Sequence, residues 1–538
     1  MEVVRTDVLV IGAGIAGLRA AATAREAGVQ VTLVCKGSIG RSGNSFRASG
    51  GFAAAVGQHD SVQQHQLDFM QGGYNVNHPD LYRLVADNAP TLLQRLSKQV
   101  SGFESNRHGL VGRLVPAHSH ARSVQYQDGM AELLRQLCAQ LSVMQVEAWS
   151  NLQAIELARN DHGEICGAYF FDRCRSGVLL CLAGAVVMAS GGCGRLFPVT
   201  SNCPEATGDG YALALAANCQ LRDMEFIQFT PTAFAAPAGV RGQTIVGSLL
   251  TLPGIRLLNA NGDRFMQHYD SARLEQADRA TLARAIAMET ASGRGTDAGG
   301  VYLDLTSVDA VELDRHRPGF FKFCLDAGVD PRNTMLETAP SAHTCLGGID
   351  VDVQLQATKG LYVCGEALGG THGANRLSSN SLTEALVTGV FAGSHAAASC
   401  VQRSVAGSPA ILQQPHDGGI DLAGTRAALI NLMGQSAGVE RSGETIEAAL
   451  STLSNLSAEI AAAGDYGVTD KAHWYELRNM TMVARAILIS ALTRQESRGA
   501  HYRTDFSQRD DQNWLGNVVV KGGADMTVKF EPLSEFVK

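Results

Sequence analysis

The sequence lacks several features that would restrict its function at once. It has no run of basic residues and no segment of aromatics interleaved with Lys and Arg, and its formal net charge is −8. Nucleic acid is therefore not an expected partner, because binding to a phosphate backbone depends on clustered positive charge. No apolar run reaches the ~20 residues of a membrane-spanning helix, so we expect no direct membrane insertion. The N-terminus has no basic segment or cleavage site, and we expect no signal peptide.

Paired cysteines are also missing. The twelve cysteines are scattered without a C-x-x-C pair, and their spacing matches neither a disulfide framework nor a zinc site. We expect reduced thiols, no metal site and a cytoplasmic location. At 538 residues the chain has room for about three or four domains of ~150 residues each.

The start of the chain has the pattern of a dinucleotide-binding unit. An apolar run at residues 8–11 precedes Gly12, Gly14 and Gly17 in G-x-G-x-x-G spacing, and an Ala-rich helix and a second apolar run at residues 31–34 follow. The first two glycines let a pyrophosphate approach the helix N-terminus, and the third lets the helix contact the strand. The second run leads to Lys36 instead of the acid that usually binds a ribose. This argues against a simple NAD site and leaves NADP open.

Two later segments indicate a longer cofactor. Residues 184–197 and 360–370 each contain an apolar strand followed by glycines, and Glu366 follows the second strand. The three strands would lie together if one nucleotide-binding domain is interrupted by insertions. That arrangement suits a cofactor of the length of FAD.

Six motifs occur in the order of one known family. They are the three N-terminal glycines, "RSGNSFRASGGFAAA", "ASGGCGR", "SAHTCLGGIDVD", "GLYVCGEALGGTHGANRLSSNSL" and "ESRGAHYRTDFSQRDDQNWL". From residue 7 to about 515 the chain thus resembles the flavoprotein family of fumarate reductase, succinate dehydrogenase and L-aspartate oxidase. The resemblance implies an α/β fold with a Rossmann-like FAD-binding domain in two parts (1–235 and 343–405), an inserted α+β capping domain (236–342) and a C-terminal helical domain (406–538).

The resemblance implies FAD as the cofactor. Family members with covalently attached FAD have a His where this chain has Asn44, so we expect the flavin to be non-covalent. A helix beginning near Ser381 would aim its N-terminus at the flavin and stabilise the reduced anion. The residues expected to bind FAD are Gly12, Gly14, Gly17, Lys36, Ser42, Asn44, Ser45, Gly50, Gly51, Ser190, Gly191, Gly192, Asp209, Glu366, Ser379, Asn380, Ser381 and Leu382.

Three residues match the family's catalytic positions. Arg376 would bind a substrate carboxylate through its forked guanidinium, and His343 would share that carboxylate. Arg279 would transfer the proton, although Ala280 replaces the Asp that usually follows it. A helix-surface position is the alternative for Arg279, because a guanidinium acts as an acid only in a desolvated site with a relay partner. His118 also matches a family segment, and we expect it beside the cofactor and the pocket.

The far half of the substrate pocket departs from the family. Thr230 stands in "QFTPT" where relatives have a His, and Gly247 and Ser248 align with the Thr-Glu pair that binds a second carboxylate. Burying a carboxylate without these partners costs several kcal/mol. We therefore expect a substrate with one carboxylate and a neutral far end. The alternative is that Arg241 or Arg256 takes over the lost role and a diacid is retained.

The predicted activity is hydride transfer between flavin N5 and a small carboxylic acid, by dehydrogenation or by enoate reduction. One alternative is oxidation of an amino acid to an imine, of the L-aspartate oxidase type, with oxygen as acceptor. The other is a non-catalytic flavin subunit for electron transfer. The electron acceptor is left open between oxygen, a soluble carrier and an iron-sulfur partner subunit.

Overall fold

The computed structural model describes residues 2–115, 117–245, 249–250, 252–316, 319–400, 420–462, 468–523 and 525–533. The pocket residues Gly247 and Ser248 and the predicted domain boundary at residue 405 lie outside these ranges. Within them, no helix is both long enough and apolar enough to cross a membrane.

Strands and helices are interspersed along the described residues, with several runs of consecutive strands. The strands are β1 (Glu2–Ile11), β2 (Val31–Val34), β3 (Gly51–Ala53), β4 (Ser105–Asn106), β5 (Gly109–Leu110), β6 (Gly112–Arg113), β7 (Ser123–Gln125), β8 (Glu147–Trp149), β9 (Leu152–Arg159), β10 (Ile165–Asp172), β11 (Val178–Met188), β12 (Gln220–Arg222), β13 (Ile227–Phe234), β14 (Arg256–Leu258), β15 (Val301–Asp304), β16 (Leu336–Cys345), β17 (Gly348–Ile349), β18 (Gln356–Thr358), β19 (Leu361–Val363), β20 (Gly516–Lys521) and β21 (Thr527–Pro532). The helices are α1 (Ile15–Glu26), α2 (Asn44–Arg47), α3 (Val62–Gly72), α4 (Pro79–Gln99), α5 (Met130–Val143), α6 (Asp209–Ala216), α7 (Met266–Tyr269), α8 (Arg279–Glu289), α9 (Ala310–His316), α10 (Phe320–Asp326), α11 (Asn380–Cys400), α12 (Leu422–Ser436), α13 (Gly443–Ala461), α14 (Val468–Thr493) and α15 (Asp511–Trp514).

A central sheet brings together the three glycine-ended strands that the sequence predicts. Its order is β18-β19-β11-β1-β2-β8, with β10 paired to β11 and β9 paired to β10. The pairs β1 with β2, β1 with β11 and β11 with β19 are all parallel. Ile11 pairs with Met188, and Met188 pairs with Val363, so the ends of these strands form one edge. Helices α1 and α11 pack together beside this sheet, which explains its continuous apolar runs.

A second sheet belongs to the capping unit and has its own core. It is antiparallel with the order β13-β16-β15-β14, and α8 packs against β13 and β16. Its core includes the buried side chains of Phe234, Leu257, Ile286 and Leu303. The domain boundaries at residues 235 and 342 stay predictions. Strands β13 and β16 carry the chain out of the FAD-binding part and back, and they place α8 beside the cofactor edge.

The C-terminal unit contains the predicted helices and an unpredicted hairpin. Helices α12, α13 and α14 pack on one another, as the apolar spacing of this region indicates. The hairpin β20-β21 extends a small sheet of the order β17-β12-β20-β21, so strands from distant parts of the chain pair there. The unit also contacts the FAD-binding part through α14 and α6.

Candidate active site

The glycine-rich turn after β1 leaves no room for side chains. Gly12 has φ +114°, and a Cβ on it would lie 2.1 Å from the carbonyl oxygen of Ala189. A Cβ on Gly17 would lie 1.8 Å from the carbonyl oxygen of Gly12. The turn opens directly into α1, whose first amide, that of Ile15, donates to Ser45 Oγ at 3.1 Å. The N-terminus of α1 is therefore a suitable place for a phosphate group.

Two predicted cofactor residues meet at the end of β2. Lys36 Nζ donates to Thr207 Oγ1 and to Asp209 Oδ2, both at 2.7 Å, and lies 2.9 Å from Glu476 Oε1. Burial lowers the pKa of Lys36, but the two carboxylates outweigh burial and raise it above its ordinary value. The ammonium group has three hydrogens, and these three partners use them. The region along the C-terminal ends of β2, β1, β11 and β19 is the cofactor cleft. Lys36 fixes Asp209 in place at the β2 end of this cleft.

Asn44 and Glu366, which are far apart in sequence, are hydrogen-bonded. Asn44 Nδ2 donates to Glu366 Oε2 at 3.2 Å and to Asn202 Oδ1 at 2.8 Å, and Asn44 Oδ1 accepts from the amide of Cys203. A Cβ on Gly192 would lie 2.3 Å from Glu366 Oε1. Burial raises the pKa of Glu366 to about 7. This buried acid lies where the strand ends converge.

The N-terminus of α11 fits the flavin end of the cofactor. The helix begins at Asn380 and runs for 21 residues. Ser379 precedes it with φ +68°, and its Oγ lies 2.6 Å from Ser123 Oγ. Within the described structure, Ser381 Oγ, Asn380 Nδ2 and Ser190 Oγ are buried without a hydrogen-bond partner. Such atoms are costly unless a ligand satisfies them, so the residues present fit FAD.

Arg376 is a buried guanidinium with neutral partners. Its Nε donates to Gln228 Oε1 at 3.1 Å and its Nη1 to the carbonyl oxygen of Leu377 at 3.2 Å. Gln228 Nε2 in turn donates to the carbonyl oxygen of Arg376 at 3.0 Å. Burial, and then the charge of Arg279, lowers the pKa of Arg376 to about 9. A carboxylate ligand would compensate this charge.

His343 and Arg279 lie close to Arg376. Burial lowers the pKa of His343 to about 3, and the charges of Arg376 and Arg279 contribute, so its ring is neutral at pH 7. Its Nδ1 lies 2.8 Å from Ser201 Oγ. Arg279 begins α8 and donates from Nη2 to Ser378 Oγ at 2.8 Å. Burial lowers the pKa of Arg279, which favours proton transfer from it.

Ser378 also connects this group to His118. The Nε2 of His118 donates to the carbonyl oxygen of Ser378 at 2.7 Å. His118 is buried, and burial lowers its pKa. A neutral His118 therefore supports the loop that precedes α11.

Thr230, which the sequence predicts at the far side of the substrate pocket, is an uncharged residue of β13. Thr230 is buried and pairs across the sheet with Ser341. Arg241 Nη1 donates to the carbonyl oxygens of Ala235 at 2.8 Å and Ala298 at 3.0 Å. Arg256 forms an ion pair with Asp304 at 2.6 Å. Both arginines considered as replacements are thus engaged in contacts of the capping unit.

Several residues of the site do not follow from the sequence. Gln228 is the first residue of the motif "QFTPT", and the sequence pattern predicts a role only for its third residue, Thr230. No sequence motif predicts the roles of Ser201, Ser378 and Glu476, because their partners are distant in sequence. The burial of Arg376 could have indicated that an amide such as Gln228 supports it, since buried donors need partners.

The raised pKa of Glu366 predicts a pH effect on the FAD-free protein. The folded state holds this proton up to about pH 7, whereas the ordinary pKa is 4.5. The unfolded chain therefore releases the proton first, and stability falls as pH rises from about 4.5 to 7. Glu366→Gln removes the titration. As the pH is raised from about 4.5 to 7, we expect the thermal midpoint of Glu366→Gln minus that of wild type to increase steadily.

The control for this measurement is Glu447→Gln, because Glu447 is exposed on α13. Its midpoint should stay parallel to wild type at every pH. If the Glu366→Gln curve also stays parallel, Glu366 does not hold a proton in the folded protein at pH 6.

Comparisons with known proteins agree with this geometry. Residues 7–382 match the FAD binding domain family, and residues 426–536 match the fumarate reductase flavoprotein C-terminal family. The chain is 35% identical over 528 residues to a subunit of the fumarate reductase (CoM/CoB) of Methanothermobacter marburgensis, covering 94% of this chain and 95% of that protein. It is 32% identical over 544 residues to L-aspartate oxidase of Streptomyces coelicolor, covering 98% and 93%. A solved structure of Mycobacterium smegmatis Sdh1 in complex with UQ1 matches with a TM-score of 0.90 at 33% identity, covering 99% and 95%.

The cofactor cleft and these matches define an FAD-dependent oxidoreductase. The chain belongs to the family of fumarate reductase and succinate dehydrogenase flavoproteins and L-aspartate oxidase. The predicted fold class, cofactor and enzyme class are therefore confirmed.

Proposed function

We propose that this protein moves a hydride between FAD and a small acid that has one carboxylate and a neutral far end. The observation that carries the proposal is the buried Arg376, whose two hydrogen-bond acceptors are neutral. It lies beside a neutral His343, and the described far-side position is Thr230. Among the residues that the structure describes, the strong anion site of the pocket is thus the end at Arg376.

Binding begins with the carboxylate. Arg376 is held by hydrogen bonds to Gln228 and to the carbonyl oxygen of Leu377. These two bonds fix the orientation of the guanidinium and of its remaining N–H groups. A guanidinium can form two parallel hydrogen bonds to a carboxylate. Neutral His343 adds a polar contact without adding a second charge. This arrangement would orient the acid and polarise the bond next to its carboxylate.

FAD, when bound, supplies the hydride-transfer chemistry. Arg279 supplies the proton that the substrate carbon takes up, and its hydrogen bond to Ser378 Oγ positions it. Its lowered pKa eases release of the proton to a substrate carbon, and the reverse step returns it. The Ser378 hydroxyl is hydrogen-bonded to Arg279, and a proton could reach Arg279 through it.

The neutral far end of the substrate is inferred from Thr230 and from the existing contacts of Arg241 and Arg256. Thr230 is short and uncharged, and the two arginines are bonded to backbone carbonyls and to Asp304. A second carboxylate here would be buried with weak compensation, which costs several kcal/mol. An alkyl or other neutral group avoids this cost.

The proposal is tested by ligand titration of oxidised holoenzyme. 2-Enoic monocarboxylates and dicarboxylates of the same chain length, to which oxidised FAD has no hydride to transfer, are added, and the change in flavin absorbance gives each Kd. We expect the monocarboxylate to bind more tightly in every pair. A tighter dicarboxylate would show that another cation supports the far end.

A partner for electron transfer is proposed from a relative. The Methanothermobacter marburgensis relative is named as one subunit of its enzyme. We propose that electrons pass to an iron-sulfur partner or a soluble carrier, with oxygen as the third option. Co-purification of the protein expressed from its native host distinguishes a stable partner from a diffusing acceptor.

A second candidate activity is amino-acid oxidation. The observation in its favour is the identity of 32% to an L-aspartate oxidase across nearly the whole chain. Imine and hydrogen peroxide formation from an amino acid under air would favour it over acid dehydrogenation.

Asn44 predicts how the flavin is attached. Its amide bonds to Asn202, Glu366 and Cys203, and an Asn side chain cannot form the flavin bond made by a His. Denaturing the holoenzyme should release all its flavin into the supernatant. Flavin fluorescence that stays with the polypeptide on a denaturing gel would contradict this prediction.

A further inference from the structure

Helix α14 of the C-terminal unit reaches the cofactor cleft. Glu476 Oε1 lies 2.9 Å from Lys36 Nζ, and Asn479 Nδ2 donates to Asp209 Oδ1 at 2.8 Å. Lys36 and Asp209 are both predicted cofactor residues and contact each other. One face of α14 therefore holds both members of this pair.

Glu476 is the centre of a buried ion cluster. Besides Lys36, it binds Arg173 Nη1 at 3.1 Å and Arg426 Nη1 at 2.7 Å. Its side chain is only 5% exposed. Burial raises the pKa of Glu476, but Lys36 and Arg426 overcome burial and lower it to about 2. The carboxylate is thus charged at neutral pH and joins the end of β2, the turn after β10 and helix α12.

A cavity of about 660 Å³ lies at this cluster, between the two units. One wall consists of residues 36–38 with Arg41 and Ser42, which follow β2. The other wall comes from α12 and α14 and includes Arg426 and His473. In a dinucleotide fold the adenosine ribose lies at the end of the second strand. The cavity therefore continues the cleft at its adenosine end.

We infer that the C-terminal helical unit closes the adenosine end of the FAD site, with Glu476 and Asn479 as positioning residues, so that FAD binding and docking of this unit stabilise each other. A ligand enclosed by two units binds fully only when they are docked. Linkage then requires the same coupling in both directions. The inference concerns the cofactor and does not depend on the proposed substrate.

The first test measures FAD affinity. Glu476→Gln keeps the shape of the side chain but removes the charge that the three cations share. We expect the Kd for FAD, from quenching of flavin fluorescence, to rise roughly 10-fold, within the range of ordinary coupling between sites. Glu447→Gln, on the exposed face of α13, should leave this Kd unchanged. An unchanged Kd in Glu476→Gln would overturn the role of Glu476.

The second test uses wild-type protein and does not depend on a variant folding. Amide hydrogen exchange is measured with and without saturating FAD. We expect FAD to slow exchange in α12 and in residues 471–493 of α14, and to leave α10 of the capping unit unaffected. If Glu476→Gln does not fold, Asn479→Ser replaces it in the affinity measurement. Equal exchange in α12 and α14 with and without FAD would overturn the inference.

Discussion

Arg376→Lys is expected to weaken binding of the carboxylate substrate by about 100-fold, because truncating one partner of a buried charge pair costs ~2–5 kcal/mol and Lys retains the charge. The guanidinium donates to both Gln228 and the carbonyl oxygen of Leu377. A Lys ammonium cannot keep both bonds and still present a fork to the ligand. The Kd from the change in flavin absorbance on titration measures the effect.

The matched control for this variant is Arg256→Lys. Arg256 is 51% exposed and pairs with Asp304 on the capping unit, so its replacement should leave the Kd within about twofold, as surface ion pairs contribute little. If Arg376→Lys binds the acid as well as wild type does, the carboxylate lies elsewhere in the cleft.

Arg279→Gln is expected to lower the rate of flavin turnover by about 100- to 10,000-fold, which is the usual contribution of a positioned acid or base. Gln is uncharged and shorter than Arg, but α8 should persist because its N-cap is Asp278, whose side chain accepts from the amide of Thr281. Gln cannot supply the proton. Substrate affinity should change little, because Arg376 and His343 hold the carboxylate. Stopped-flow absorbance separates the rate from the Kd.

Arg273→Gln is the control for the loss of a surface arginine near α8. Arg273 is 56% exposed and pairs with Asp270, so turnover should stay at the wild-type level. Normal turnover in Arg279→Gln would support the alternative in which Arg279 is only a helix-surface residue.

The parts of the fold that local pattern controls were predictable from the sequence. The second apolar run matches the bounds of β2, Val31–Val34, and α11 begins at Asn380, one residue before the predicted position. Both features depend on nearby residues: continuous apolar character in one case and Ser/Asn capping types in the other. The requirement for Gly17 is local, because its neighbour is the carbonyl oxygen of Gly12, whereas the close contact of Gly12 with Ala189 arises only in the folded sheet.

The parts that depend on distant contacts were not predictable. The hairpin β20-β21 is defined by pairing with β12, nearly 300 residues earlier, and only the folded chain brings these strands together. Glu476 looks like an ordinary helix residue until Lys36 is placed beside it. Gln228 becomes important because Arg376 is buried against it. Such roles follow from tertiary packing and not from local sequence.

The most direct test of the proposed specificity is anaerobic. Dithionite-reduced holoenzyme is mixed with 2-enoic monocarboxylates or with fumarate, and oxidised holoenzyme with saturated monocarboxylates, succinate or L-aspartate, while flavin absorbance is followed. A pocket with one anion site at Arg376 and a neutral Thr230 side predicts rapid flavin turnover with a monocarboxylate and slow turnover with every diacid. Faster turnover with fumarate, succinate or L-aspartate would contradict this account of the pocket.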